Sequence, residues 1–166
     1  MTKRGKLRHV TFEFRDEIYR ALKAESARSG RPMSTIANEA LAAYPMSPLQ
    51  CVTQKGVFAI DLNQTPVAKA IMAQLPITSQ VNRWGDEIYF DVPVRMKNTA
   101  PTREVAVGDI AYWPDGPSLC IFFGRTPAST ANEPRPASDV TIVGHTDAPA
   151  SLLRSIEEGT SITISR

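Results

Sequence analysis

The two prolines at Pro45 and Pro48 most constrain how this chain can fold. A proline ring removes a backbone N–H and clashes with the preceding helical turn, so no regular helix runs through this point. The segment before it, residues 1–44, is short for a chain that must bury a stable core alone. We therefore predict two domains, at residues 1–44 and 49–166, joined by a linker at residues 45–48.

The first segment is predicted to form one strand and two helices. Residues 7–14 alternate in polarity, with Val10, Phe12 and Phe14 on one face, which is typical of a strand. A helix is expected from about Asp16 to Ser29, ended by Gly30. A second helix is expected to run to about Tyr44, with Ser34 as its N-cap.

A lone strand has no partner within this segment, so we expect a homodimer in which two copies of the strand pair antiparallel. The polar side chains of the strand, His9, Thr11 and Glu13, then face outward from a two-stranded ribbon. Such a ribbon fits the major groove of B-DNA.

The charge of the chain is unevenly distributed. Residues 1–44 hold nine Lys or Arg and five Asp or Glu, although the net charge of the whole chain is only +2. Arg8 belongs to a basic arm that also contains Lys3, Arg4 and Lys6, without an acidic residue among the first eight positions. A basic arm on a small module is typical of nucleic-acid binding.

This pattern resembles the ribbon-helix-helix family of repressors over residues 7–44. The matching positions are Val10-Thr11-Phe12, Arg15-Asp16-Glu17-Ile18, Leu22, Gly30-Arg31, Met33-Ser34, Ile36 and Glu39-Ala40-Leu41. The resemblance implies that His9, Thr11 and Glu13 read bases and that Ser34 and Thr35 anchor a phosphate. The alternative is that residues 1–44 only dimerise the chain.

The pattern after the linker is mostly strand. About eight short segments of alternating polarity are separated by turn signals such as Gly85-Asp86 and Pro114-Asp115-Gly116, where we expect Gly116 to adopt a positive φ. Two short helices are expected, one opened by Thr65-Pro66 and one near Ala150–Glu158. We predict an α+β protein whose larger domain is a closed antiparallel barrel, with a long loop at Pro127–Asp139 of the length at which lids occur.

This domain resembles small cyclophilin-like barrels of bacteria and archaea over residues 49–166. The matching segments are residues 82–90, 108–114 and 120–127, Pro136-Ala137-Ser138 and the terminal segment from Gly159. The resemblance implies a cyclophilin-like fold, and the barrel is expected to bind a small molecule or a peptide. The candidates for its ligand pocket are Arg83, Trp84, Tyr112, Phe122 and Thr126.

We interpret the chain as a dimeric DNA-binding regulator whose barrel acts on the DNA module through the Pro45–Pro48 connection. The alternative is a peptidyl-prolyl isomerase, or a peptide-binding protein without catalysis, dimerised by its N-terminus. The phenylalanine-histidine-arginine run of true cyclophilins is not visible, and no catalytic set, metal site or cofactor is predicted. Without an apolar stretch long enough to span a bilayer or act as a signal peptide, a cytoplasmic location is expected, with Cys51 and Cys120 as buried thiols.

Overall fold

A computed structural model describes residues 16–43 and 48–166 of the chain. The chain divides into two compact units, Met1–Tyr44 and Pro45–Arg166. The predicted strand at residues 7–14 lies outside the described residues, as does the predicted linker except for Pro48. Across the two described ranges, no helix combines the length and the apolar character that a bilayer crossing requires.

The first unit contains two helices, α1 (Asp16–Ser29) and α2 (Met33–Ala43). Gly30 ends α1 with a φ of 68°, and its N–H donates to the Ser26 carbonyl at 3.0 Å. The prediction that Ser34 caps α2 was wrong, because the Pro32 carbonyl already accepts the Ile36 N–H at 3.2 Å. Pro32 therefore occupies the N-cap position, and Ser34 lies in the first turn of the helix.

The second unit is built from nine strands and two short helices within residues 48–166. The strands are β1 (Leu49–Thr53), β2 (Gly56–Leu62), β3 (Ile77–Gln80), β4 (Asn82–Arg83), β5 (Glu87–Asp91), β6 (Asp109–Trp113), β7 (Ser118–Phe122), β8 (Thr141–His145) and β9 (Ser161–Ser165). The helices are α3 (Pro66–Ala73) and α4 (Ala150–Ser155). As predicted, the Thr65 side chain caps α3 and Pro66 takes its first position, while α4 ends earlier than expected.

The strands form one antiparallel sheet in the order β3-β9-β1-β2-β8-β6-β7-β5-β4. The strands at the two ends of this order, β3 and β4, follow each other in the chain. They nevertheless pair with different strands, β3 with β9 and β4 with β5. At the change of partner, Val81 donates to Thr160 and its carbonyl accepts from Gly159. The segment at residues 77–84 therefore holds two strands with different partners, and it nearly closes the sheet into a barrel.

The barrel is filled by one face of each strand. Ile88 and Phe90 of β5, Ile110 and Tyr112 of β6, and Leu119 and Ile121 of β7 all belong to the main buried cluster. The intervening residues of the same three strands point to the opposite face, because side chains alternate along a strand. Ala111, Cys120 and Phe122 form a second buried cluster there with Val140, and Tyr89 and Trp113 pack against it. The sheet is thus buried on both faces in this region.

Candidate ligand-binding site

A cavity of about 130 Å³ lies on the outer face of the sheet, beside the second cluster. We call it the Glu87 cavity. The residues that line it come from the turn before β5, from β5, β6 and β7, and from the loop that leads into β8: Trp84, Glu87, Tyr89, Trp113, Cys120, Pro136, Ala137 and Val140.

Glu87 brings an unsatisfied acid into this cavity. It is the first residue of β5, only 5% of its surface is exposed, and its register partner is Phe122 on β7. Within the described residues, its Oε2 is the buried side-chain atom that finds no hydrogen-bond partner. Burial raises the pKa of Glu87 to about 7, and a side-chain hydrogen bond with the Cys120 thiol lowers it by a smaller amount. A buried carboxyl oxygen without a hydrogen-bond partner destabilises the folded state, and such groups are common in binding sites.

Aromatic side chains form much of the remaining wall. The rings of Tyr89 and Trp113 meet edge to face, with centroids 6.2 Å apart and planes at 84°. The Trp113 Nε1–H donates to Ser138 Oγ at 2.7 Å, and the Ser138 hydroxyl donates to Asp115 Oδ2 at 2.7 Å. These two hydrogen bonds hold the indole in one orientation at the cavity.

Gly116 packs against the Trp113 ring, and the backbone conformation predicted for this glycine was wrong. It does not adopt a positive φ. Instead, a Cβ atom at this position would lie 2.6 Å from Cζ3 of the Trp113 ring. Close contact with the indole, rather than backbone conformation, therefore requires glycine in this turn.

The predicted long loop Pro127–Asp139 supplies one side of the cavity through Pro136 and Ala137. It is anchored at its start, where Thr126 Oγ1 donates to the Arg135 carbonyl at 2.5 Å. The Glu133 carboxylate accepts hydrogen bonds from Thr130 and Ala131 within the loop. Hydrogen bonds from its own backbone N–H and from the Thr130 side chain lower the pKa of Glu133 to about 2. The loop is therefore cross-linked to itself.

The structure separates the five residues that the sequence indicates for a pocket. Trp84 lines the Glu87 cavity, and Phe122 lies in the adjoining second cluster. Tyr112 faces the barrel core, where its hydroxyl donates to the Val94 carbonyl at 2.9 Å and accepts from Met96 N–H at 3.1 Å. Thr126 is buried at the anchor of the loop.

Arg83 lies away from the cavity lining and joins the turn before β5 to the end of α4. Its guanidinium donates to the carbonyls of Arg154 at 2.7 Å, Ile156 at 3.2 Å and Gly85 at 3.2 Å. It also lies over the Phe123 ring, 5.6 Å from the centroid. These contacts use three of the five N–H donors of the guanidinium in hydrogen bonds to its own chain.

The residues predicted to contact DNA are described only in part. Arg8, His9, Thr11 and Glu13 lie outside the described residues. Ser34 and Thr35 are exposed in the first turn of α2, and the Thr35 N–H donates to the Pro32 carbonyl at 3.0 Å.

Trp84 is the one lining residue among the candidates selected from the sequence; the polar and aromatic lining residues outside that selection are Glu87, Tyr89, Trp113 and Cys120. The signal was the alternation in β5, which puts Glu87 and Tyr89 on the face opposite Ile88 and Phe90. That pattern alone does not show that a loop covers the polar face.

The described residues offer little other chemistry. They contain no group of three His, Cys, Asp or Glu side chains that could hold a metal ion. Cys51 and Cys120 are both buried, as predicted. His145 is exposed, with Nε2 3.3 Å from Asp147 and Nδ1 3.7 Å from Asp109.

Comparison with known proteins gives matches for the second unit. A family model described as cyclophilin-like matches residues 47–165. The solution structure of a hypothetical protein from Archaeoglobus fulgidus is similar, with 35% sequence identity and a TM-score of 0.62, and the match covers 72% of this chain and 93% of that chain. No curated protein matches the chain.

Proposed function

Because the chain belongs to the cyclophilin-like family, we propose that its barrel is a ligand-binding domain and that the Glu87 cavity is the binding site. We propose further that residues 1–44 make the chain a dimeric DNA-binding regulator, so that the barrel is its sensor. The observation that carries the binding role is the buried carboxyl oxygen of Glu87, which lines an aromatic cavity without a partner.

Binding is favoured over prolyl isomerisation by the surroundings of Arg83, one of the pocket candidates. An isomerase needs a guanidinium free to donate to the prolyl nitrogen. Arg83 instead donates to three backbone carbonyls of its own chain. Breaking such charge-assisted hydrogen bonds costs about 1.5–3 kcal/mol each, which makes this arginine a poor candidate for contacting a substrate.

The regulatory role is supported by the basic arm and by the helix pair. Four bases precede position nine of the chain, and cations at this density bind phosphates. On α1, Ile18 and Tyr19 are 48% and 50% exposed in the single chain. A second copy covering these apolar side chains is the partner that the predicted ribbon requires.

The binding role can be tested by blocking the cavity. The only two tryptophans, Trp84 and Trp113, both line it, so intrinsic fluorescence reports occupancy directly. We expect Ala137→Phe, at the exposed rim, to abolish fluorescence changes produced by a panel of small fragments. Ala131→Phe, an exposed site in the same loop that does not line the cavity, is the matched control. Equal responses in the two variants would contradict the binding role.

The DNA role is tested by fluorescence anisotropy of the full chain on labelled promoter-region duplexes over a salt series. We expect preference over a scrambled duplex and an affinity that falls with salt. Arg8→Ala should lower the log–log salt slope by about one, whereas Lys69→Ala, an exposed cation on α3, should leave it unchanged. Affinity indifferent to both salt and sequence would refute the proposal.

A further inference from the structure

We propose that the Glu87 cavity takes a compact alkylated ammonium ion that carries at least one N–H, an inference that rests on the proposed binding role of the barrel. Three features of the cavity point to this class of ligand: the carboxyl oxygen Oε2 of Glu87 without a hydrogen-bond partner, the aromatic walls and the absence of a cation among the lining residues.

The Glu87 carboxyl requires a ligand with a hydrogen-bond donor. Glu87 is buried, and its Oε2 lacks a hydrogen-bond partner among the described residues. An ammonium N–H supplies both the missing hydrogen bond and a countercharge, and charge-assisted hydrogen bonds are the stronger kind. A neutral donor would satisfy the oxygen but would leave an ionised carboxylate without compensation.

The aromatic walls of the cavity favour a cation that carries alkyl groups. Trp84, Tyr89 and Trp113 line the cavity together with Glu87. Since the Tyr89 and Trp113 planes are nearly perpendicular, the cation meets two ring walls of different orientation. Aromatic rings attract organic cations, and cages of this kind recognise methylated ammonium groups.

The size and charge of the lining exclude other ligand classes. Pockets for drug-sized ligands occupy about 300–1,000 Å³, whereas this one has about 130 Å³. Pro136, Ala137 and Val140 complete the lining without charge. A carboxylate or phosphate would therefore meet the Glu87 acid with no cation to offset it.

The titratable groups that face the cavity make binding depend on pH. They are Glu87 and Tyr89 on β5 and Cys120 on β7. Burial raises the pKa of Glu87 to about 7 and also raises the pKa of Cys120 and of Tyr89, the latter helped by Glu87, Glu158 and Asp91. Only Glu87 therefore changes charge near neutral pH, and a cation should bind its ionised form.

The test compares three ligands of one skeleton on the full chain, with tryptophan fluorescence as readout. Dimethylethanolamine, protonated at neutral pH, has charge and an N–H; choline has charge alone; the neutral alcohol with a tert-butyl group in place of the trimethylammonium has neither. At about pH 8 we expect dimethylethanolamine to bind roughly tenfold tighter than the alcohol, with choline between them. Its affinity should fall by up to about tenfold for each pH unit below 7.

Two variants tie the preference to the cavity. Glu87→Gln keeps the shape and removes the charge, so it should erase both the ranking and the pH dependence. Glu104→Gln, which removes an exposed acid that does not line the cavity, should keep them. Trp84→Leu retains Glu87 and should weaken both cations more than the alcohol, which checks the aromatic wall independently.

The outcomes separate this inference from the proposed function. Equal affinity for all three ligands, or choline as the tightest, overturns the inference while leaving a binding cavity. No binding by any of the three also overturns it, and the fragment panel with Ala137→Phe then decides whether the cavity binds anything.

Discussion

Glu87→Gln should change the pH dependence of stability in a way that its position predicts. In the unfolded chain this carboxyl releases its proton near its ordinary pKa of 4.5, but in the folded barrel burial holds the pKa at about 7. Between these values the native state binds the extra proton, so stability falls as pH rises. The contribution is fully present below the unfolded pKa and is lost above the folded one.

The magnitude follows from the difference between the two pKa values. The pKa rises from 4.5 to about 7 on folding, and each pKa unit corresponds to about 1.4 kcal/mol. The free energy of unfolding therefore falls by roughly 3 kcal/mol as the pH rises through this range. Because Gln does not ionise, the variant escapes this loss. We therefore expect the stability of the variant relative to the natural chain to improve by roughly 2–3 kcal/mol between about pH 5 and pH 8.

The assay is urea unfolding followed by tryptophan fluorescence, which reports the barrel because Trp84 and Trp113 both lie in it. Other titrating groups cancel when the two chains are compared at each pH. Glu104→Gln, an exposed acid, should show no such change. Parallel pH profiles for Glu87→Gln and the natural chain would refute the reasoning about burial.

Four further perturbations test separate parts of the structure. Gly116→Ala should cost about 1–3 kcal/mol by overpacking, and Trp113→Phe in the same chain should recover part of it, measured by urea unfolding. Arg83→Met should destabilise the barrel by about 2 kcal/mol or more, and the same experiment checks it. Thr126→Val should remove the loop anchor and speed hydrogen exchange in residues 127–139; unchanged exchange would show that the hydroxyl holds nothing. Ile18→Glu should dissociate the proposed dimer in sedimentation experiments, and a variant that sediments like the natural chain would exclude this face as the interface.

The two-layer burial around β7 explains how a small barrel can hold a cavity outside its core. All five residues of β7 are buried. Leu119 and Ile121 pack inside the barrel, whereas Cys120 and Phe122 pack under the outer layer. The outer layer is completed by side chains from the neighbouring strands and by the 127–139 loop. The Glu87 cavity therefore lies against a strand that is buried on both of its faces.

The amino-acid sequence alone determined most of the strands and the residues that share a face, through the alternation of polar and apolar residues, and most of the turns, through their Gly, Pro and Asp residues. In β5 this alternation puts Glu87 and Tyr89 on the face opposite Ile88 and Phe90, where the structure has them. Separately, the capping pair Thr65-Pro66 predicts a helix start, which the structure confirms. Local rules suffice here because strand period, capping and turn conformation depend on neighbouring residues.

Only the tertiary structure decided which face became the core and which became the cavity. Tyr112 and Trp113 are adjacent aromatic residues, yet Tyr112 faces the barrel interior and Trp113 the cavity. Hydrophobic burial is not directional, so in apolar strands such as β7 the composition does not distinguish the two sides. Partner switching at Val81, which nearly closes the barrel, and the loop placed over β5, β6 and β7 make that distinction through contacts between residues far apart in the chain.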